Sequence, residues 1–351
     1  MTELGRLEDL PQEYRDALTK LNLVPLWPSL RGVMPANKPR PHTVPTMWKY
    51  ADIKPLLLQA GELTPIEKAE RRVLVLANPG HTLEKMQASP AMYLGMQLLL
   101  PGEWAASHRH TPNAIRMIVE GEGAYTTVEG EKCYMSRGDL ILTPTGLWHE
   151  HGHDGKDPVV WLDVLDLPLA YYLEVSYHNE GVKQEHVEAS KEPFYSTGGV
   201  VPSPMFERSK QQYPMYRYPW TLVRQTLEKM AALQAPDEMA SVTYVNPETG
   251  DDAENILGYY ALMLRPGQTL QLPVRSPSIV FHVIEGSCEI DIEGVPYQMG
   301  LADTTCAPGY TPITLKNHSS QPSFLFMTDE TPLHRKLGVF ENRTKRSKKE
   351  T

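Results

Sequence analysis

Cysteine is scarce in this chain: Cys133, Cys288 and Cys306 are the only three among 351 residues, an odd number without a CxxC pair. That excludes a disulfide framework or a thiolate zinc site as the organising device, and a cytoplasmic setting is expected. Long apolar runs are also missing. No stretch approaches the ~18 residues that a membrane helix needs, and the first thirty residues carry Glu, Asp and Arg throughout. Positive charge is outnumbered, 34 Lys and Arg against 43 Asp and Glu for a formal net charge of -9. A protein that collects phosphates by counterion release needs the opposite balance. Neither nucleic acid nor a membrane is an expected partner.

What is plentiful is turn chemistry. The 31 prolines and 24 glycines punctuate short apolar runs, which points to a mostly β fold, and 41% hydrophobic content over this length is enough for two cores. Leu7, Leu10, Tyr14, Leu18 and Leu21 recur at helical spacing, so an amphipathic accessory helix is expected there. Six prolines between Pro25 and Pro45 predict an extended arm that wraps a neighbouring subunit. Thr64-Pro65-Ile66-Glu67 has the pattern of a capped helix start, and Arg71-Arg72 leads into a short buried strand, Val73-Leu74-Val75-Leu76.

From Met92 to Val164 short apolar runs alternate with Pro101-Gly102, Gly121-Glu122-Gly123, Glu129-Gly130, Arg137-Gly138-Asp139 and Pro144-Thr145-Gly146, the spacing of an antiparallel barrel or sandwich. The rhythm returns from about Gly258 to Phe326. Gly102 and Gly121 are nineteen residues apart, and so are Gly267 and Gly286, which indicates two related β-domains. Tyr171 to Pro219 is polar and rich in Tyr and Pro, and Thr221 to Leu233 has helical character, so this part is expected to pack as a linker across both lobes.

Five of the twelve histidines fall between His108 and His153. On a strand, residues i and i+2 share a face, so His108 and His110 aim two imidazoles at one point. His149, on a strand returning across the barrel, brings a third nitrogen opposite that pair. Three neutral imidazoles leave coordination positions open, as an oxygen-activating iron(II) site requires, and the same ligands also suit zinc.

The segments Gly102-x5-His108-x-His110 and Gly138-x5-Pro144-x-Gly146-x2-His149 resemble the two motifs of the cupin superfamily. Where many cupins place a glutamate ligand this chain has a residue near Ala114, and His153 stands where an asparagine often follows the last ligand. Pro101-Gly102-Glu103, His108-Arg109-His110-Thr111, Val119-Glu120-Gly121, Thr143-Pro144, Trp148-His149-Glu150-His151-Gly152 and Ala69-Glu70-Arg71-Arg72-Val73-Leu74 are similar to the gentisate 1,2-dioxygenase family. The resemblance implies two cupin (double-stranded β-helix, or jelly-roll) barrels with accessory N-terminal and linker helices. The organisation expected is an arm and first strand over 1–90, a metal-bearing barrel over 91–168, a linker and helix over 169–255, a second barrel without metal ligands over 256–330, and a tail over 331–351.

The same resemblance implies an enzyme of aromatic catabolism, a homotetramer. It would use Fe(II), held by His108, His110 and His149, to open the ring of gentisate (2,5-dihydroxybenzoate) between C1 and C2 with O2, giving maleylpyruvate. Arg116 is expected to grip the substrate carboxylate and His151 to serve as acid or base, with Asp163 a supporting carboxylate. Gln97, Trp148 and Arg72 are expected around the substrate, with Arg71 or Lys68 as alternatives to Arg72. Salicylate and 1-hydroxy-2-naphthoate are the alternative substrates. A non-catalytic ligand-binding cupin and a metal-dependent isomerase or decarboxylase are the readings of a different class. In the second half Pro273 and Arg275 occupy the offsets of His108 and His110, and His282 reads as a core histidine.

Overall fold

In each barrel a glycine at the turn where the chain crosses from one sheet to the other meets the backbone so closely that no side chain fits. In the computed structural model, which describes residues 5–82, 86–185, 187–203 and 212–343, Gly121 has φ +88 and a Cβ there would lie 2.5 Å from the Pro158 carbonyl oxygen. Its repeat, Gly286, has φ +79 and would meet the Pro322 carbonyl at 2.8 Å. Only glycine reaches this conformation without strain. The same turn is therefore built twice.

Between such turns the chain forms two jelly-roll barrels. The first has one sheet ordered Arg217–Tyr218, Leu140–Thr143, Ala114–Glu120, Val159–Leu165, Tyr93–Leu99, Arg72–Val75. Its second sheet runs His178–Glu180, Trp104–His110, His149–His153, Ala124–Val128, Glu131–Tyr134, Glu188–Ala189. The second barrel pairs a six-stranded sheet centred on Ile279–Glu285 and Ser323–Asp329 with a four-stranded one that includes Cys288–Ile292. The linker supplies edge strands to both sheets of the first barrel, through His178–Glu180, Glu188–Ala189 and Arg217–Tyr218.

Strand alternation then sorts the apolar side chains into three cores. Leu99, Ile118, Ile141 and Trp161 fill the floor of the first barrel, and Leu262, Phe281, Ile290 and Leu325 fill the second. Met96, Met117, Leu142 and Leu162 point the other way from the first barrel and join Ala261, Val280, Phe324 and Phe326 of the second in one shared cluster. The helices Tyr50–Leu63 and Trp220–Leu233 cover its edges with Leu57 and Leu227. Cys133, Cys288 and Cys306 are buried and free. Among the described residues no helix is long and apolar enough to cross a membrane.

Several local expectations are corrected. The segment from Leu7 is a 3-10 turn, Leu7–Asp9, and a separate helix, Gln12–Lys20, because Pro11 lacks the N–H that would carry one helix through. The stretch expected to be an extended arm contains the helix Leu26–Val33, with Pro28 tolerated in its first turn. These pieces belong to a unit ending at His42, distinct from the one beginning at Thr43, and neither of its two helices has a buried side chain. Thr64 does not cap the helix that follows it. Its N–H closes the helix Tyr50–Leu63 on the Ala60 carbonyl at 3.0 Å, and the next helix, Ile66–Ala69, is a single turn. The tail expected over Thr344 to Thr351 lies outside the described residues.

A core shared by both barrels makes them one cooperative unit. Phe326→Ala should cost about 3–5 kcal/mol, read as a lower urea midpoint in a single transition. Two separate transitions would show that the barrels fold independently.

Candidate metal centre

The first barrel's histidines owe their position to an irregularity. Ala105 pairs with His151, but two residues further back on the partner strand His149 pairs with His108, three residues on. This bulge reverses the alternation, so Ala105, His108 and His110 all face inward. In a regular ladder His108 would stand on the outer surface.

His108, His110 and His149 offer ligand nitrogens that all lie within 4.8 Å of one another, and they are the only such group among the described residues. Their ring centroids are separated by 5.4, 4.1 and 4.8 Å. Two of the rings are oriented by a carbonyl of their own neighbourhood and the third by a guanidinium. Arg71 donates to His108 Nδ1, which lies 3.3 Å from the Ala106 oxygen, whereas His110 Nδ1 donates to the Pro112 oxygen at 2.7 Å and His149 Nδ1 to the Leu147 oxygen at 2.9 Å. In His110 and His149 that tautomer leaves the Nε2 lone pair for a Lewis acid. His149 Nε2 is buried without a hydrogen-bond partner, and the Arg71 guanidinium lies 3.1 Å from His108 Nε2. An orphaned buried acceptor in a triad of imidazole nitrogens fits a divalent metal.

Protonation is suppressed at all three. Burial, with the Arg71 charge next, lowers His108 to about 2, and burial lowers His110 to about 4. Burial and the neighbouring imidazoles push His149 well below its ordinary range. The ligands are therefore neutral without help from a metal.

Around the triad the structure brings together most of the expected residues. His151 lies 5.9 Å from His149 between ring centroids, holds Thr126 Oγ1 at 2.9 Å through Nδ1, and keeps its buried Nε2 without a partner. From the opposite sheet, Arg116 donates to Thr143 Oγ1 at 2.7 Å and sits 3.4 Å from Asp163, its cross-strand neighbour. Burial raises Asp163 to about 6 against the pull of Arg116 and the Trp161 indole, which donates to it at 3.0 Å. Gln97 Nε2 is buried without a partner on the same face.

Two residues expected at the substrate stand elsewhere. Arg72 pairs with Leu98 on the outer face of its sheet and is held by Glu103 and the Gly61 carbonyl. Arg71, one residue earlier, lies on the inner side against His108 and the Ala106 carbonyl. Burial, then Arg116, lowers its pKa to about 10. Trp148 alternates with His149 and so points outward, where Gly181 packs on its ring and Arg109 lies 4.7 Å from the ring centroid.

Residues that histidine spacing does not signal also belong here. Gly95 pairs with Asp163, and a Cβ on it would lie 2.5 Å from Val73 and 2.7 Å from the Tyr93 hydroxyl. These strand residues carry no motif. A cleft of about 930 Å³ lined by Glu70, Arg71, Trp104, Ser107, His108 and Glu180 borders the site, touching His108 alone of the three histidines.

Because protons compete so weakly for these imidazoles, divalent-metal affinity should stay flat as pH falls from 8 to about 5. A titration with cobalt(II) checks this. A decline beginning near the free-imidazole pKa of about 6.5 would mean that the ligands are hydrated.

A cupin domain model matches residues 95–165. The chain is 71% identical to a gentisate 1,2-dioxygenase of Ralstonia sp over 342 residues, 97% of this chain and 96% of the relative. It is 31% identical to a 5-aminosalicylate 1,2-dioxygenase of Comamonas sp, covering 95% and 89% of the two chains. Among solved structures it superposes on the salicylate 1,2-dioxygenase of Pseudoaminobacter salicylatoxidans, in adducts with gentisate, with a TM-score of 0.88 and 31% identity over 97% of this chain and 96% of that one. With two jelly-roll barrels, a three-histidine centre in the first and full-length likeness to these enzymes, the chain belongs to the gentisate 1,2-dioxygenase family of cupin ring-cleaving dioxygenases.

Proposed function

We propose that this protein is an iron(II) enzyme that opens gentisate between C1 and C2 with both atoms of O2, giving maleylpyruvate. The observation that carries the reading is the inward-facing set of His108, His110 and His149, whose ligand nitrogens all lie within 4.8 Å of one another, with the His110 and His149 rings fixed through Nδ1. Iron(II), if held by His108, His110 and His149, would supply Lewis acidity toward a chelating hydroxybenzoate and the capacity to activate dioxygen.

The chain's own charges favour such a substrate. Arg116, buried, and Arg71, half-buried, are two cations beside one carboxylate, Asp163, so the pocket has an excess of positive charge even before a metal is counted. A benzoate bearing an ionised ortho-hydroxyl offsets that excess where water cannot. Arg116 pairs with the substrate carboxylate, and Asp163 keeps its guanidinium in place. His151 Nε2 exchanges a proton with the ring 5-hydroxyl, its Nδ1 being engaged by Thr126. Gln97 Nε2 donates to a substrate oxygen, and Trp161 walls the site against water.

Exposed apolar residues, Tyr171, Tyr172 and Tyr177 in the linker and Trp27 in the N-terminal unit, support assembly into a homotetramer. The buried free thiols suit the cytoplasm.

Oxygen uptake by anaerobically iron-loaded protein tests the reading. One O2 consumed per gentisate is expected, and faster turnover of salicylate or 1-hydroxy-2-naphthoate would replace the substrate. His149→Ala should lose both bound iron and uptake. Arg116→Ala removes a charge-assisted contact worth about 1.5–3 kcal/mol, a roughly 10- to 100-fold fall in kcat/KM. An iron-loaded, active His149→Ala protein would refute the ligand set.

Asp163 is ionised above about 6 and takes up a proton as pH falls through that value, releasing Arg116. The acid limb of kcat/KM should therefore lie near pH 6 and be missing in Asp163→Asn, as a pH–rate profile of both proteins would reveal.

A further inference from the structure

Two of the three ligand rings are oriented from loops rather than from the strand ladder. His110 Nδ1 donates to Pro112, in the turn Thr111-Pro112-Asn113, and His149 Nδ1 donates to Leu147, in the loop Pro144-Thr145-Gly146-Leu147. A loop carbonyl orients an imidazole only as well as the loop itself is held. The question is what holds these two.

One buried pair serves both. Asn113 donates its backbone N–H to Asp166 Oδ1 at 2.7 Å and its Nδ2 to Asp166 Oδ2 at 2.8 Å, so the carboxylate grips main chain and side chain at once. The remaining oxygen of Asn113 accepts from the Thr145 N–H at 3.1 Å and from the Tyr213 hydroxyl at 3.5 Å. The two loops are also joined directly, since the Gly146 N–H donates to the His110 carbonyl at 2.8 Å. Asp166 follows the strand that carries Asp163 and accepts the Ala170 N–H of the helix Leu167–Tyr172 through its backbone carbonyl. Both members are buried, Asn113 with 7% and Asp166 with 5% of their surface exposed. Their hydrogen bonds run to the loops and to each other rather than to the ligand rings.

From this geometry we infer that Asn113 and Asp166 are positioning residues for the metal centre: a carboxylate–amide clamp that sets the His110 and His149 rings through Pro112 and Thr145. The clamp gives the centre a rigidity that three side chains on strand ends lack. It rests on the ligand assignment made above.

The pair has a chemical symmetry that makes it testable. In Asp166→Asn two side-chain amides oppose each other, and in Asn113→Asp two carboxylates do. In the double variant N113D/D166N the bond between the two side chains can form again with donor and acceptor exchanged. Its new amide oxygen still accepts the backbone N–H at position 113, and its new carboxylate keeps an acceptor for the Thr145 N–H. Metal affinity is measured by anaerobic iron(II) titration against a competing chelator, with Phe326→Ala as a control that loses stability at the shared core. Each single variant should bind iron about 10- to 100-fold more weakly, with KM for gentisate at saturating iron unchanged, and the double variant should recover most of the affinity. Single variants with wild-type affinity, or a double variant no better than the weaker single, overturn the clamp while leaving the ligands standing. A wild-type protein that takes up no divalent metal overturns the ligand assignment and the clamp with it.

Discussion

The site depends on one strand pairing, that of Trp104–His110 with His149–His153, and on the single bulge within it. The ladder between Ala105 and His108 gains one residue over its partner, and that residue turns His108 and His110 from the outer face to the inner one, opposite His149. A one-residue change of register moves every later side chain to the other face. The facing of two of the three candidate ligands follows from that step, while His149 and the outward Trp148 take theirs from the regular alternation of the partner strand.

Burial then decides the electrostatics. The triad lies above a floor of Ile118, Ile141 and Trp161, and this apolar setting strips the imidazoles of protons and lifts the Asp163 carboxyl to about 6. It does the reverse to the guanidiniums of Arg71 and Arg116, whose pKa values fall. The pocket is thus rich in neutral donors for a metal and in cations for an anionic ligand. The second barrel, built on the same turns, has no such arrangement at the matching positions. Arg275 is paired with Asp329 at 3.1 Å, and His282 is a core histidine bound to Thr304 Oγ1 at 2.9 Å. Its contribution is the apolar face shared with the first barrel, where Phe324 and Phe326 back the sheet that carries Arg116 and Asp163.

Much of this was legible in the residues. The spacing of His108 and His110 places two rings on one face of a strand whatever the surrounding fold, and the equal glycine intervals of the two halves mark a repeated turn. Helices were harder to read. Pro55 lies inside Tyr50–Leu63 beside the run Leu56-Leu57-Leu58, which blurs the helical period, and Pro11 divides a pattern of continuous helical spacing. His153, an unusual residue for its motif position, proves to be tied locally, to the Asp157 carbonyl at 2.7 Å and the Gly155 N–H at 3.0 Å.

By itself the sequence determined the chemistry that was available: two barrels punctuated by glycine, three imidazoles at motif spacing, and an arginine and a carboxylate within the same β-rich half. Tertiary structure alone decided which of two adjacent arginines enters the pocket, because Arg71 and Arg72 diverge to opposite faces only once strand Arg72–Val75 has paired with Tyr93–Leu99. It alone also brought Asp166 to Asn113, fifty-three residues away, and Gly95 to Asp163. Such contacts arise from long-range register, and register is set by the summed packing of whole sheets rather than by any local run of residues.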